Sequence, residues 1–559
     1  MLILRITTCL FILFLLSTPL LSSVGTSSYE SDSKVVVIVA GNLSIRDFQN
    51  DNLVNILNLI ESSSIGLMNI RSGRMSGLVL SGREWGMEAG CVTLGAGTPA
   101  VGGKEVRFAG DVESVLNHKN IGELYKFRTG KDYGDAEIVQ PEIYAINKAN
   151  ARSSYRAIPG LLGQSIRNAG KKTAVIGISD ILNVPYREVA AIAFDSNGII
   201  DYGNLNSNKL SIKDETMPYG VRTNINALTK AFEDLYKKAD FIVVNYADTM
   251  RADAYSIYCT TSEIENIRNN AIIGLDELVG NIKSKINPND YMMIVSPSYR
   301  TALSLNYERL TPIIISGDCF ERGFITSSST RKKGLVTISD FAPTVLTLMG
   351  IEYPKDMSGR PCIHIASEGN NLEYLAQLND KASYQRERTS AMRGGSVVQS
   401  VLVFIISIFA FLSINKKINL KIEWLAIVPA VIPLVMLLIP ALYDGGLAVS
   451  SILLIVLCLS VLLILKAFTE NTFTAYTFIS LVLSAGLMID IFRGSPLISN
   501  SIAGYSIIEG ARYYGIGNEL MGSLLGAVLI GCALFFHQNK LSVKMQTIIA
   551  AFVFAFVFI

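Results

Sequence analysis

The stretch Asn224–Tyr246, NINALTKAFEDLYKKADFIVVNY, carries the pattern that decides the fold. An amphipathic run of helical spacing, Asn224 to Lys238, gives way after a short break to a segment of strand length, Phe241 to Tyr246. The same unit recurs on both sides. Upstream, Lys34 to Ala40 (KVVVIVA) is an apolar strand ending at Gly41-Asn42, and a helical stretch follows over Asp51 to Ile60. Pro159 to Ala169 stops at Gly170 and is succeeded by the strand Thr173 to Ile178 (TAVIGI). Downstream, Glu263 to Ile286 leads to Tyr291 to Val295 (YMMIV), and Thr311 to Ser316 (TPIIIS) adds a further strand. Ser339 or Asp340 caps a helix through Met349, with Pro343 in its first turn and Gly350 just past its end. Helix and strand in alternation predict an α/β domain, a mostly parallel sheet flanked by helices, over residues 30–367.

Around that domain the composition changes. Half of the residues are hydrophobic and only 17% are charged, a bias concentrated in roughly the last 160 residues. Residues 1–25 place Arg5 before the apolar run Ile6 to Leu21 and small residues after it, the pattern of a signal peptide. A polar linker is expected over 368–395 and a multi-pass transmembrane block of helices over 396–559, with about six spans. These fall at about 397–414, 422–442, 447–466, 476–492, 519–537 and from 545 onward. Lys416, Lys417, Lys421, Lys466, Lys540 and Lys544 then fall on the cytoplasmic side, and the α/β domain outside, as the positive-inside rule asks. The last span breaks off within an apolar run, so the natural chain is expected to continue beyond Ile559. The net charge of +2 and the lack of a basic stripe argue against a nucleic-acid partner. Seven cysteines, none in C-x-x-C spacing, are compatible with disulfides or with free buried thiols.

Several motifs go further. KVVVIVAGN (34–42), GLMNIRSG (66–73), EAGCVTLGAG (88–97), FIVVNYADTMRADAY (241–255), YMMIVSPS (291–298) and RKKGLVTISDFAPTVLTLMGIEYPKDMSGRP (331–361) together resemble the alkaline phosphatase superfamily. That superfamily includes sulfatases and cofactor-independent phosphoglycerate mutases. The last of these motifs is the most specific. The resemblance implies two divalent cations held by Asp and His side chains, which activate a Ser or Thr nucleophile for hydrolysis or phosphoryl transfer.

Here the implied ligands are largely replaced. Ala40-Gly41-Asn42 stands where the resemblance implies an aspartate, and Ser296-Pro297-Ser298 where it implies an Asp-His pair. Asp248 stands at a ligand position, with Ala252-Asp253 in place of the expected histidine. Asp248 and Asp253, with Asp47 or Asp340, are the candidate metal ligands. At most one divalent cation, magnesium or manganese, suits such an all-oxygen shell. The competing structural reading makes Asp340 a helix cap and puts Asp248, Arg251 and Asp253 in an ion-pair network. The candidate catalytic hydroxyls are Ser81 and Thr93, and Thr93 also reads as structural. Arg251, Arg300 and Arg331 are candidate anion-binding forks, and His364 is the histidine placed to reach the site. Gly95-Ala96-Gly97 serves either an anion or close packing.

A second polar group, Asp490, Arg493, Arg512, Tyr514, Asn518 and Glu519, lies at the outer ends of the spans, where buried acids require a partner such as Arg493 or Arg512. Three functions follow. The loss of ligands favours a degenerate domain that acts in binding or scaffolding at the cell envelope. A metal-dependent phosphatase, sulfatase-like hydrolase or phosphotransferase acting on an envelope phospho-polymer or lipid-linked substrate is the second. A transporter or lipid-handling membrane block with an accessory external domain is the third.

Overall fold

A computed structural model of the chain describes residues 33–73, 86–116, 118–181, 184–205, 208–301, 309–389, 405, 424, 427–443, 445–539 and 541–558. The expected signal peptide, Ser81 and all but residue 405 of the expected first span lie outside the described residues.

Ten strands form the main sheet: β1 Val35–Ala40, β2 Ser64–Asn69, β3 Thr173–Ile176, β4 Tyr202–Asn204, β5 Phe241–Tyr246, β6 Tyr291–Val295, β7 Leu310–Ser316, β8 Gly323–Ser327, β9 Leu335–Thr337 and β10 Cys362–Ala366. They lie in the order β10-β8-β2-β7-β6-β1-β5-β3-β4, with β9 also paired to β2. Strands β6, β1, β5, β3 and β4 run parallel to one another. Strand β7 is antiparallel to both its neighbours, and β10 is antiparallel to β8. The mostly parallel sheet is therefore present, with two reversed strands on one side.

The central strands are apolar throughout because both faces of the sheet are covered. In β1, Val35, Val37 and Val39 enter one core while Val36, Ile38 and Ala40 enter the other. The helices Met87–Ala96, Leu161–Asn168 and Phe341–Leu348 pack on the first face. Val54–Glu61, Ile225–Tyr236 and Thr261–Lys283 pack on the second. Residues 368–395, read as a polar linker, are instead helical over 371–389. Leu375, Ala376 and Ala382 bury one side of that helix in the second core, and its polar remainder gives the segment its linker-like composition. Among the described cysteines all are free thiols, and Cys91 and Cys362 are buried.

Helices Val428–Leu442, Leu447–Phe468, Thr472–Phe492, Asn518–Asn539 and Val543–Phe558 form the C-terminal block. Three of them, Leu447–Phe468, Thr472–Phe492 and Asn518–Asn539, are long and apolar enough to cross a membrane. Val428–Leu442 carries Pro433 and Pro440 and is shorter. Ile452, Ile455, Leu459 and Leu463 point outward from Leu447–Phe468, an apolar surface suited to lipid rather than water.

Helix Met87–Ala96 is pressed against the chain beside it. A Cβ added at Gly95 would stand 2.1 Å from the Ala191 carbonyl oxygen, and one at Gly90 would stand 2.3 Å from that of Pro297. The close-packing reading of Gly95 is thus the one its surroundings support. Gly95→Ala is expected to destabilise by about 1–3 kcal/mol through overpacking, even though alanine is favoured in a helix by about 1 kcal/mol. A thermal melt of the full chain checks this, and a raised melting temperature would contradict it.

Candidate functional site

Strands β1, β5 and β6 end side by side, where the resemblance would put cations. Their ends are tied to one another. Asn42, in the left-handed region at φ 61°, donates its backbone N–H to the Ser298 carbonyl at 3.0 Å. Ser298 Oγ donates to Asn42 Oδ1. Asn42 Nδ2 donates to Asp253 Oδ2 at 2.8 Å. The Thr301 hydroxyl donates to the same carboxylate oxygen at 2.6 Å, and its N–H lies 3.1 Å from both oxygens. Ser296 Oγ accepts from Leu43 N at 3.0 Å and donates to the Ser298 carbonyl at 2.8 Å. The replacements for the implied ligands thus form a closed network of hydroxyls, an amide and one carboxylate.

The other two acids are equally occupied. Asp248 accepts from Thr223 N at 2.9 Å, from Thr223 Oγ1 at 3.0 Å and from Arg251 at 2.8 Å. Arg251 also donates to the Ile178 carbonyl at 2.9 Å, and it is 1% exposed. Asp47 is paired with the buried Arg268, whose Nε donates at 2.7 Å and whose other arm reaches the Asn42 carbonyl at 2.7 Å. A fixed guanidinium thus supplies the positive charge beside β1. Among the described residues no group of three or more His, Cys, Asp or Glu side chains is arranged to hold a metal ion. Asp248 and Asp253 bind different partners from one helix, Asp248–Tyr255, and do not converge. The described residues at these strand ends do not fit a divalent cation.

The remaining candidates are dispersed. Thr93 is fully buried, donates to the Ala89 carbonyl at 2.7 Å and accepts from Ala100 N at 3.0 Å. Asp340 is fully buried and accepts from Ser327, Ser329, Thr337 N and Arg360 N, with Thr337 completing a capping box. The cap is therefore Thr337 and not Asp340, which is the third residue of that box and makes no side-chain bond to the start of Phe341–Leu348; burial pushes its carboxyl up despite the bonds it accepts. Arg300 pairs with Glu265 at 2.7 Å. His364 lies on β10 with Nδ1 2.8 Å from Ser64 Oγ. Strand β10 is five places from β1, roughly 24 Å at the usual strand spacing, so His364 is remote from these strand ends.

A cleft of about 540 Å3 opens where the strands end, lined among others by Asn42, Met87, Glu88, Lys104, Arg107, Tyr186, Glu188, Asp253, Ser298 and Thr301. Arg107 donates to Glu88 at 2.9 Å and lies over the Tyr186 ring at 4.2 Å. Glu188 is 2% exposed and its Oε2 has no protein partner. Burial first, then the Glu88 carboxylate, push the Glu188 carboxyl up to about 8, with Asp180 adding to the rise and Arg107 opposing it. Sequence reading missed Glu88, Arg107, Tyr186 and Glu188. Arg107 and Glu188 sit on 3-10 segments and Tyr186 on a loop, with no periodicity to mark them, while Glu88 lies in the first turn of Met87–Ala96, within a motif already noted.

In the helical block the Asp490 carboxyl is held by backbone N–H groups rather than by arginine. Its oxygens accept from Leu497 N at 2.9 Å and Ile498 N at 2.8 Å, at the start of the short helix Pro496–Asn500. Arg512 donates to the Ile516 carbonyl and lies over the Tyr505 ring at 5.3 Å. Tyr514 lies under Arg331 at 4.4 Å, and Asn518 N is 3.4 Å from the Tyr505 hydroxyl. Glu519 lies in the first turn of the helix Asn518–Asn539, and Arg493 is the residue at the C-terminal cap of Thr472–Phe492.

The Glu188 carboxyl, ordinarily near 4.5, holds its proton in the native state up to about 8. Its contribution to stability is complete below the unfolded value and is lost as pH rises through the folded one. Besides Glu88, Arg107 and Asp180, Cys91 faces it from the adjoining helix. Glu188→Gln is expected to gain in melting temperature over the wild-type chain between about pH 5.5 and pH 8.5. A difference that does not change with pH would contradict a buried, protonated Glu188.

No family model matches the chain. The 2,3-bisphosphoglycerate-independent phosphoglycerate mutase of Parabacteroides distasonis is 28% identical over 128 residues, 23% of this chain. The chain spans 24% of that relative's length. Among solved structures, the lipoteichoic acid synthase LtaP from Listeria monocytogenes matches 60% of this chain and 78% of its own, at 14% identity and a TM-score of 0.34. An alkaline phosphatase from the Antarctic bacterium TAB5 matches 57% and 99%, at 9% identity and a TM-score of 0.31. At such scores the strand order and the motifs, not the superposition, define the fold. What the strands and helices themselves show is an α/β domain with a mostly parallel sheet covered on both faces, joined to a block of apolar helices.

Proposed function

We propose that this chain is a membrane-held binding protein, with an alkaline-phosphatase-like domain degenerate at its metal site and placed outside the cell membrane. The observation that carries this reading is the closed network of Asn42, Asp253, Ser298 and Thr301. A carboxylate whose lone pairs are already occupied by protein donors has little to offer a cation, and opening it costs those bonds. With Glu188 protonated, Lys104 and Arg107 balance Glu88 and Asp253, which leaves a polar cleft without large net charge. Lys104 is exposed at its edge. Hydroxyls, Tyr186 and an edge cation suit a hydroxyl-rich, phosphate-bearing group such as a unit of an envelope phospho-polymer or of a lipid-linked precursor. Apolar helices and lysine-rich loops on one side favour a multi-pass chain with the domain outside.

The full-length protein in detergent, supplied with magnesium, manganese or zinc, is expected to hydrolyse simple phosphate monoesters no faster than its Asp253→Asn variant. It should still bind glycerol phosphate, and Lys104→Ala should weaken that binding on the order of tenfold, one charge-assisted contact. Metal-dependent turnover abolished by Asp253→Asn would overturn the reading in favour of a hydrolase.

A further inference from the structure

The segment joining helices Thr472–Phe492 and Asn518–Asn539 is shared between two cores: Ile498 and Ile502 stay with the apolar block, and the chain beyond them crosses to the α/β domain. Ile507 and Ile508 are 4% and 0% exposed and complete the core on the second face of the α/β sheet. Their carbonyls are buried in irregular backbone and need donors. Asn69, the last residue of β2, meets that need: its Nδ2 donates to the carbonyls of Ile507 and, at 2.9 Å, of Ile508. Asn69 Oδ1 accepts from Arg71 N at 2.9 Å, and the Arg71 guanidinium donates to the next carbonyl, that of Glu509. Three successive carbonyls of the loop are thus bound by two residues of the α/β domain.

The fit is close. Gly510 has a φ of 60°, and a Cβ there would stand 3.0 Å from both Asn69 Oδ1 and the Tyr513 hydroxyl, and 3.2 Å from Arg71 Cδ. Around this centre Arg386 pairs with Glu509 at 3.4 Å and Arg331 covers Tyr514. Gln385 Nε2 donates to the Ser499 carbonyl at 2.8 Å.

We propose that residues 505–514 are a latch. Through it the membrane block binds the Asn69–Arg71 end of β2 and closes the second core, so that the α/β domain and the apolar helices move as one body with the cleft at a fixed attitude to the bilayer. The latch explains why irregular, glycine-containing backbone is tolerated next to the spans: the α/β domain covers it. It stands independently of what the cleft binds.

The test uses the full chain in native membranes. With Asn69→Cys and Gly510→Cys, mild oxidation should join the two positions, since a Cβ at Gly510 would stand 3.0 Å from Asn69 Oδ1 and a disulfide spans Cα separations of up to about 6.8 Å. The link is read as a tryptic fragment carrying both segments. Separately, Ile508→Asp and Gly510→Val should speed tryptic release of the α/β domain on the order of tenfold, as expected for a lost sub-global contact. Gly446→Ala, where an added Cβ meets nothing, should leave the rate unchanged. Failure of the cysteine pair to link, or release that is as slow in both variants as in the wild-type chain, would overturn the latch.

Discussion

A carboxylate taken out of water must have its lone pairs occupied, by protein donors or by a cation. At the ends of β1, β5 and β6 that demand organises the surrounding chain. Asp253 gathers Asn42 from the end of β1 and Thr301 from beyond β6, and Ser298 closes the link back to Asn42. Asp248 holds Thr223 and Arg251, and Asp47 holds Arg268. Each acid that could have faced a shared cation faces its own donors instead. The fixed charges of Arg251 and Arg268 balance Asp248 and Asp47 without any ion from solution, and removing one partner of such a buried pair is costly. The cleft above the strand ends inherits its shape from this arrangement.

The fold was legible in the sequence for a physical reason. Strands buried on both faces must be apolar at every position, so VVVIVA and YMMIV stand out, and helices between them are punctuated by glycines in the left-handed region such as Gly170 and Gly350. The site was legible only by subtraction. The departures from the implied ligands could be read residue by residue, but the hydrogen bonds those residues make join positions more than two hundred residues apart. Nothing in the local pattern of Asn42 announces Asp253. Glu188 and Arg107 were invisible for a related reason, since 3-10 segments have no amphipathic period to read. The stretch 368–395 looked like a linker because only one side of its helix is buried.

The latch and the strand-end network have one logic. In both, a side-chain amide at the end of a strand, Asn69 of β2 or Asn42 after β1, satisfies buried acceptors from distant chain. One ties together the ends of β1, β5 and β6, and the other joins the α/β domain to the block of apolar helices. Their shared consequence is an α/β domain whose strand ends are held by hydrogen bonds between distant parts of the chain.

The central claim is that protein donors have taken the place of metal. Equilibrium dialysis of the full-length protein against manganese and zinc, followed by elemental analysis, tests it most directly. The account predicts retained metal well below about one ion per chain, equal in the wild-type chain and in Asp253→Asn. About one or two ions per chain, lost on Asp253→Asn, would contradict it.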